Sequence, residues 1–120
     1  MRYPGRLLGG ALILAVLAVG CASTPAASPA TGAVSSGAIS IKGFAFDPAQ
    51  LSVNKGATVT WTNNDGATHT VTSGVPGTPS GKFDQRLEAG KTFTFTFTDA
   101  GTYEFFCNIH TSMKATVLVK

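Results

Sequence analysis

Threonine and phenylalanine alternate without a break from Thr92 to Thr98, and few features constrain a chain more. Side chains two residues apart share a face on a strand, whereas on a helix they scatter around the axis. TFTFTFT therefore predicts a strand with Phe93, Phe95 and Phe97 on its buried face and threonines outside. The rest of residues 38–120 reads the same way, more loosely. AISIKGFAF alternates apolar residues, and LSVNKGATVTWTN carries Leu51, Val53, Val59 and Trp61. DAGT breaks the phenylalanine run, after which Tyr103, Phe105 and Cys107 lie on one side of a further strand. ATVLVK adds a last one, with Val117 and Val119 on a common face. Turn signals recur at FDPA, NKG, NNDG, VPGTPSG and EAG, and no segment has a 3.6-residue period. Seven or eight short strands so spaced predict an all-β sandwich or barrel. About 83 residues with eight phenylalanines suffice for a modest core.

The first fifth of the chain does not belong to that domain. MRYPGR carries two arginines, the apolar run LLGGALILAVLAV follows, and GCAS comes next. A basic start, an apolar stretch of this length and small residues at its end describe a secretory signal over residues 1–20. A membrane-spanning helix, the other reading, needs about 20 apolar residues. LAVGC resembles the bacterial lipoprotein signal, in which cleavage precedes a cysteine that becomes lipidated, here Cys21. The usual leucine three places before the cysteine is replaced by Ala18, with Leu17 one place earlier. The alternative is ordinary cleavage after Ala18-Val19-Gly20, which would release a soluble secreted protein. Residues 21–37, CASTPAASPATGAVSSG, are small, uncharged and rich in Pro, Ser and Ala, so they predict a flexible tether. Together these segments predict an exported protein held by lipid at the outer face of a bacterial membrane.

Charge and cysteine count narrow the function. Without residues 1–20 the chain keeps seven Lys/Arg against six Asp/Glu, with no basic cluster, which argues against nucleic acid as a partner. The chain has two cysteines, and a Cys21–Cys107 disulfide is one option. If Cys21 is lipidated, Cys107 is a lone thiol in an oxidising compartment, where burial or a metal must protect it.

Beyond the signal, the soft donors are His69, Cys107, His110 and Met113, three of them inside CNIHTSM. Residues three apart on a strand face opposite ways, so these three converge only if the chain leaves the strand at Cys107 and curls. His69, on another loop at the same end of a sandwich, would close the set. Thioether is a poor zinc ligand, and structural zinc sites favour four Cys/His donors. Two imidazoles and a thiolate with a weak axial thioether describe a blue copper electron-transfer centre. Taken singly, each residue has an ordinary reading as a loop histidine, a core methionine or a buried thiol.

CNIHTSM, with WTNNDGATHTV, GTYEFFC, FDPAQLSVNKGATVTW and GKFDQRLEAGKTFTFTF, resembles the cupredoxins, specifically the plastocyanin/amicyanin group. The resemblance covers essentially all of residues 38–120. It implies a Greek-key β-sandwich holding one copper ion that cycles between Cu(II) and Cu(I), with His69, Cys107, His110 and Met113 as ligands. It also implies a hydrogen bond from the Thr70 N–H to the thiolate, and Asn63 or Asn64 as a brace for the loops. The two-residue gap between His110 and Met113 matches the short ligand loop of the amicyanin type. Ile109 and Thr111 stand where prolines are usual, and Ala115 stands where a glycine is common.

The implied function is that of a monomeric electron shuttle, not an enzyme, which meets a redox donor and a redox acceptor transiently. His110 would be its exit edge, and Ile109, Thr111 and Val75 its uncharged docking patch. Copper delivery, with metal exchange as the function, is the alternative, which a firm Cys/His/His/Met site disfavours. A copper enzyme would need further histidines, a binuclear centre would need a second nearby cysteine, and an adhesive sandwich would leave the donor set unexplained.

Overall fold

A computed structural model describes residue 20 and residues 34–120. The expected signal apart from Gly20, Cys21 and the first part of the expected tether lie outside the described residues. Eight strands form: β1 (Val34–Ile41), β2 (Phe46–Asp47), β3 (Gln50–Asn63), β4 (His69–Val75), β5 (Thr78–Leu87), β6 (Thr92–Thr96), β7 (Gly101–Phe106) and β8 (Lys114–Val119). No helix occurs among the described residues.

The strand order is β2-β1-β3-β8-β7-β4-β5, with β6 attached to β3. β3 is long enough to serve two leaves. Its first part, from Gln50 to Val53, runs parallel to β8, while Thr58–Thr62 pairs with β6 on one side and β1 on the other. Between them lies Gly56, whose φ of 88° lets the strand bend. The leaves close face to face over an aromatic core. Trp61 on β3 stacks on Phe93 of β6 at 5.5 Å, and meets Phe105 of β7 edge-on at 5.5 Å and Phe83 of β5 at 5.7 Å. Trp61 is wholly buried, so its large apolar area dominates the packing. Phe97 is buried, while Phe93 and Phe95 are partly so, as the threonine–phenylalanine alternation demands.

Three details depart from the sequence reading. β1 begins at Val34, four residues inside the expected tether, because pairing with β3 (Val34 opposite Val53, Ser36 opposite Thr58) gives this small-residue stretch a ladder. VPGTPSG is mostly strand: only Pro76 and Gly77 turn, with Gly77 at a φ of 85°, and β5 resumes at Thr78. His69 stands not on a loop but as the first residue of β4.

Candidate metal centre

The curl after β7 is set by its own backbone. Phe106 pairs with Lys114 across β7 and β8, leaving the seven residues from Cys107 to Met113 to turn between them. The Cys107 N–H donates to the Met113 carbonyl at 3.0 Å, and the Met113 N–H donates to the His110 carbonyl at 2.9 Å. The His110 N–H points back at Cys107 Sγ from 3.4 Å. A loop without prolines is thus closed by three hydrogen bonds. Cys107 and Met113 are buried and His110 is half-buried.

His69 is delivered from the other side. The buried Asn63 side chain donates to the Ala67 carbonyl at 2.8 Å and the Leu87 carbonyl at 3.0 Å, and its oxygen accepts the Asp65 N–H at 3.0 Å. These bonds fold residues 64–68 tightly enough to bring His69 opposite Leu87 at the head of β4. Asn64 donates to Ser40 Oγ at 2.8 Å and ties the same turn to β1. The Thr70 N–H reaches Cys107 Sγ at 3.3 Å, while Thr70 Oγ1 accepts the Asn108 N–H at 2.7 Å. Asn63 and Asn64 thus bond across the turn before β4, and Thr70 bonds to the loop after β7.

The donors converge. His69 Nδ1 lies 3.1 Å from His110 Nδ1, and Cys107 Sγ lies 3.8 Å and 3.7 Å from those two nitrogens. The three donor atoms all lie within 4.8 Å of one another. Met113 adjoins through the backbone bonds already described, at the point where the loop rejoins β8.

Two residues at this site escaped the sequence reading. Asp65 Oδ2 accepts the Nε2–H of the fully buried His69 at 2.9 Å, and the Asp65 side chain is itself only 12% exposed. Asp65 also accepts the Phe44 and Gly43 N–H groups. The Phe44 N–H above all, then the Gly43 N–H and His69, hold its carboxyl below the usual carboxylate value, against partial desolvation. Phe44 meets His69 and His110 edge-on, with ring centroids 5.3 and 4.9 Å away. The only signal in the sequence was an aspartate four residues before the histidine, which reads more naturally as a turn former. Val75, by contrast, does not belong here. It ends β4, about 20 Å from His69 at about 3.3 Å per residue.

This donor set fits a soft metal. One ring nitrogen of His69 is committed to Asp65, which leaves Nδ1 with a lone pair facing Sγ and the second imidazole. Two N–H groups aimed at one sulfur suit a thiolate better than a thiol. Two imidazoles and a thiolate, with the thioether of Met113 beside them, are the donor types of a blue copper centre.

Residues 33–120 match the sequence model of copper binding proteins, plastocyanin/azurin family. Amicyanin of Paracoccus denitrificans is 35% identical over 104 residues, covering 82% of this chain and 79% of that one. Plastocyanin of Scenedesmus fuscus is 33% identical over 84 residues, 62% of this chain and 86% of that one. Among solved structures, a purple cupredoxin from Nitrosopumilus maritimus superposes with a TM-score of 0.65 at 29% identity, covering 70% of this chain and 99% of that one.

Proposed function

Since the chain belongs to the plastocyanin/azurin family of copper-binding proteins, we propose that it carries single electrons between redox partners through a type 1 copper centre. His69, Cys107, His110 and Met113 would hold the metal. The observation that carries this reading is the convergence of two histidine Nδ1 atoms on one sulfur that accepts two backbone N–H groups. Bound copper supplies the Cu(II)/Cu(I) couple.

The residues around the centre have separable tasks. β4 and the β7–β8 loop hold the donors through backbone hydrogen bonds, which suits a site that must serve two oxidation states with little rearrangement. The sheet buries His69 and Cys107 completely and leaves His110 half-exposed, so His110 is the ring through which an electron leaves most readily. Around it stand Phe44 at 54% exposure, Ile109 at 46% and exposed Thr111, an uncharged surface suited to brief contacts. The likeness to plastocyanin and amicyanin supports reading the chain as a carrier and not an enzyme.

The test is the visible spectrum of the copper-loaded protein. An intense thiolate-to-copper band that disappears in Cys107→Ser supports the reading. A colourless protein that takes up only Cu(I) overturns it in favour of copper delivery.

Export and anchoring form part of the same proposal. They are supported by the signal-like residues 1–20, by Cys21 at the cleavage position and by the small-residue stretch that follows. Mass spectrometry of the mature N-terminus tests them: an acylated Cys21 is expected, and an unmodified Cys21 or cleavage elsewhere would refute the anchor.

A further inference from the structure

Phe44 is strained in a way that the fold alone does not require. Lys42 and Ala45 exchange backbone hydrogen bonds at 3.0 and 3.2 Å, closing a tight turn between β1 and β2. Both central residues have positive φ, 61° at Gly43 and 58° at Phe44. Hairpins of this kind favour glycine or asparagine at such positions, and a bulky side chain avoids the left-handed region. Phe44 is also 54% exposed, so burial of its ring does not repay the strain. What holds it is a carboxylate: Asp65 Oδ1 accepts the Gly43 N–H at 2.7 Å and Oδ2 accepts the Phe44 N–H at 2.9 Å. That same Oδ2 takes the Nε2–H of His69. One side chain thus grips the turn that presents Phe44 and the imidazole that Phe44 covers.

We propose that Asp65 is a positioning residue that locks the His69 ring and the Phe44 cover into one unit, and that its negative charge lowers the reduction potential of the centre. The potential clause rests on the type 1 copper reading above. Three consequences of the geometry support the proposal. A carboxylate on Nε2–H selects the tautomer with its lone pair on Nδ1, the atom facing Cys107 and His110, and makes that nitrogen a better donor. A negative charge one imidazole away favours the more positive, oxidised state of the centre. The clamped turn sets the Phe44 ring against the edges of both imidazoles, which limits the water that reaches them.

Asp65→Asn and Asp65→Ala test the clamp in the full chain, first without copper. In the wild type, nitrogen-15 NMR should show His69 as the Nε2–H tautomer alone, and Asp65→Ala should show a mixture. Amide exchange at Gly43 and Phe44 should accelerate about tenfold or more in Asp65→Ala, since bonds to a charged acceptor are lost. The amides of Ile39 and Val117 serve as controls for an intact fold and should stay protected. With copper, Asp65→Asn should keep the intense band while its potential rises above that of the wild type. An unchanged potential in Asp65→Asn, or unchanged exchange at Gly43 and Phe44 in Asp65→Ala, overturns the proposal. If the wild type itself lacks the band, the copper reading fails, and the copper-free measurements decide the clamp alone.

Discussion

The Thr70 N–H and Cys107 Sγ lie 3.3 Å apart across 37 residues of chain, and the same threonine binds the loop a second time through its hydroxyl. Thr70 Oγ1 accepts the Asn108 N–H, and Thr70 lies 2.9 Å from Thr72 Oγ1, which donates to Asp84 at 2.8 Å. With its proton committed to Asp84, Thr72 accepts from Thr70, so a directed chain of hydrogen bonds runs from the ligand loop to β5.

Thr70→Val keeps the volume and the backbone donor but deletes the middle of that chain. Leaving the Asn108 N–H without its acceptor and Thr72 Oγ1 without its donor should cost about 1–3 kcal/mol. Urea unfolding of the copper-free protein measures the loss, and the backbone bond to sulfur should keep the copper band intense.

Binding of a metal at the described donors should stabilise the fold by mass action. With free metal at about a hundred times its dissociation constant, the gain is about 2.7 kcal/mol, or a rise of about 10 °C or more in Tm for a domain of this size. Calorimetry with and without copper checks this, and His69→Gly should abolish most of the shift.

Trp61 is fully buried against four aromatic rings, yet its Nε1 has no hydrogen-bond partner among the described residues. Trp61→Ala should cost about 3–5 kcal/mol. Trp61→Phe should cost less than the lost area suggests, because it also removes an unpaired N–H. Chemical denaturation of the two variants gives the ordering.

Gly74 sits at the irregularity in the β4–β5 pairing, with a φ of 106°. A Cβ there would lie 2.5 Å from the Thr78 carbonyl oxygen and 2.6 Å from the Ser80 nitrogen, both backbone atoms. Gly74→Ala should therefore destabilise by more than about 1 kcal/mol. Lying far along β4 from His69, it should lower the unfolding midpoint without moving the copper band.

Glu88 accepts the Thr68 hydroxyl at 2.7 Å and Arg86 Nε at 3.1 Å, and these bonds, Thr68 first, hold its carboxyl below the usual value of 4.5. A depressed carboxyl stabilises the fold above its unfolded value and ceases to do so as pH falls through the folded one. Unfolding midpoints should drop below about pH 4.5, and Glu88→Gln should flatten a small part of that fall, since the group is exposed.

Much of this could be read from residue order because it is local. The Thr92–Thr98 alternation announces its strand, and the spacing of Cys107, His110 and Met113 demands a curl whatever the fold. β5 was obscured because only Phe83 and Leu87 are buried among its ten residues, so a half-exposed edge strand shows no alternation. His69 was misplaced onto a loop because Asn63 supplies the brace through bonds to Ala67 and Leu87, and the second partner is distant in sequence. Asp65 and Phe44 were missed for a like reason. They are 21 residues apart, and nothing in either neighbourhood indicates that they meet.

The place of β8 bears on when the centre can exist at all. It is the last strand in chain order, yet it lies in the interior of the sheet between β3 and β7. A chain in which β8 has not yet docked has an open seam between β3 and β7, and Cys107 lacks the return path that bends His110 and Met113 around. Assembly of the donor set therefore coincides with closure of the sheet, and a partly folded chain with β8 undocked would have no ready-made copper site to fill.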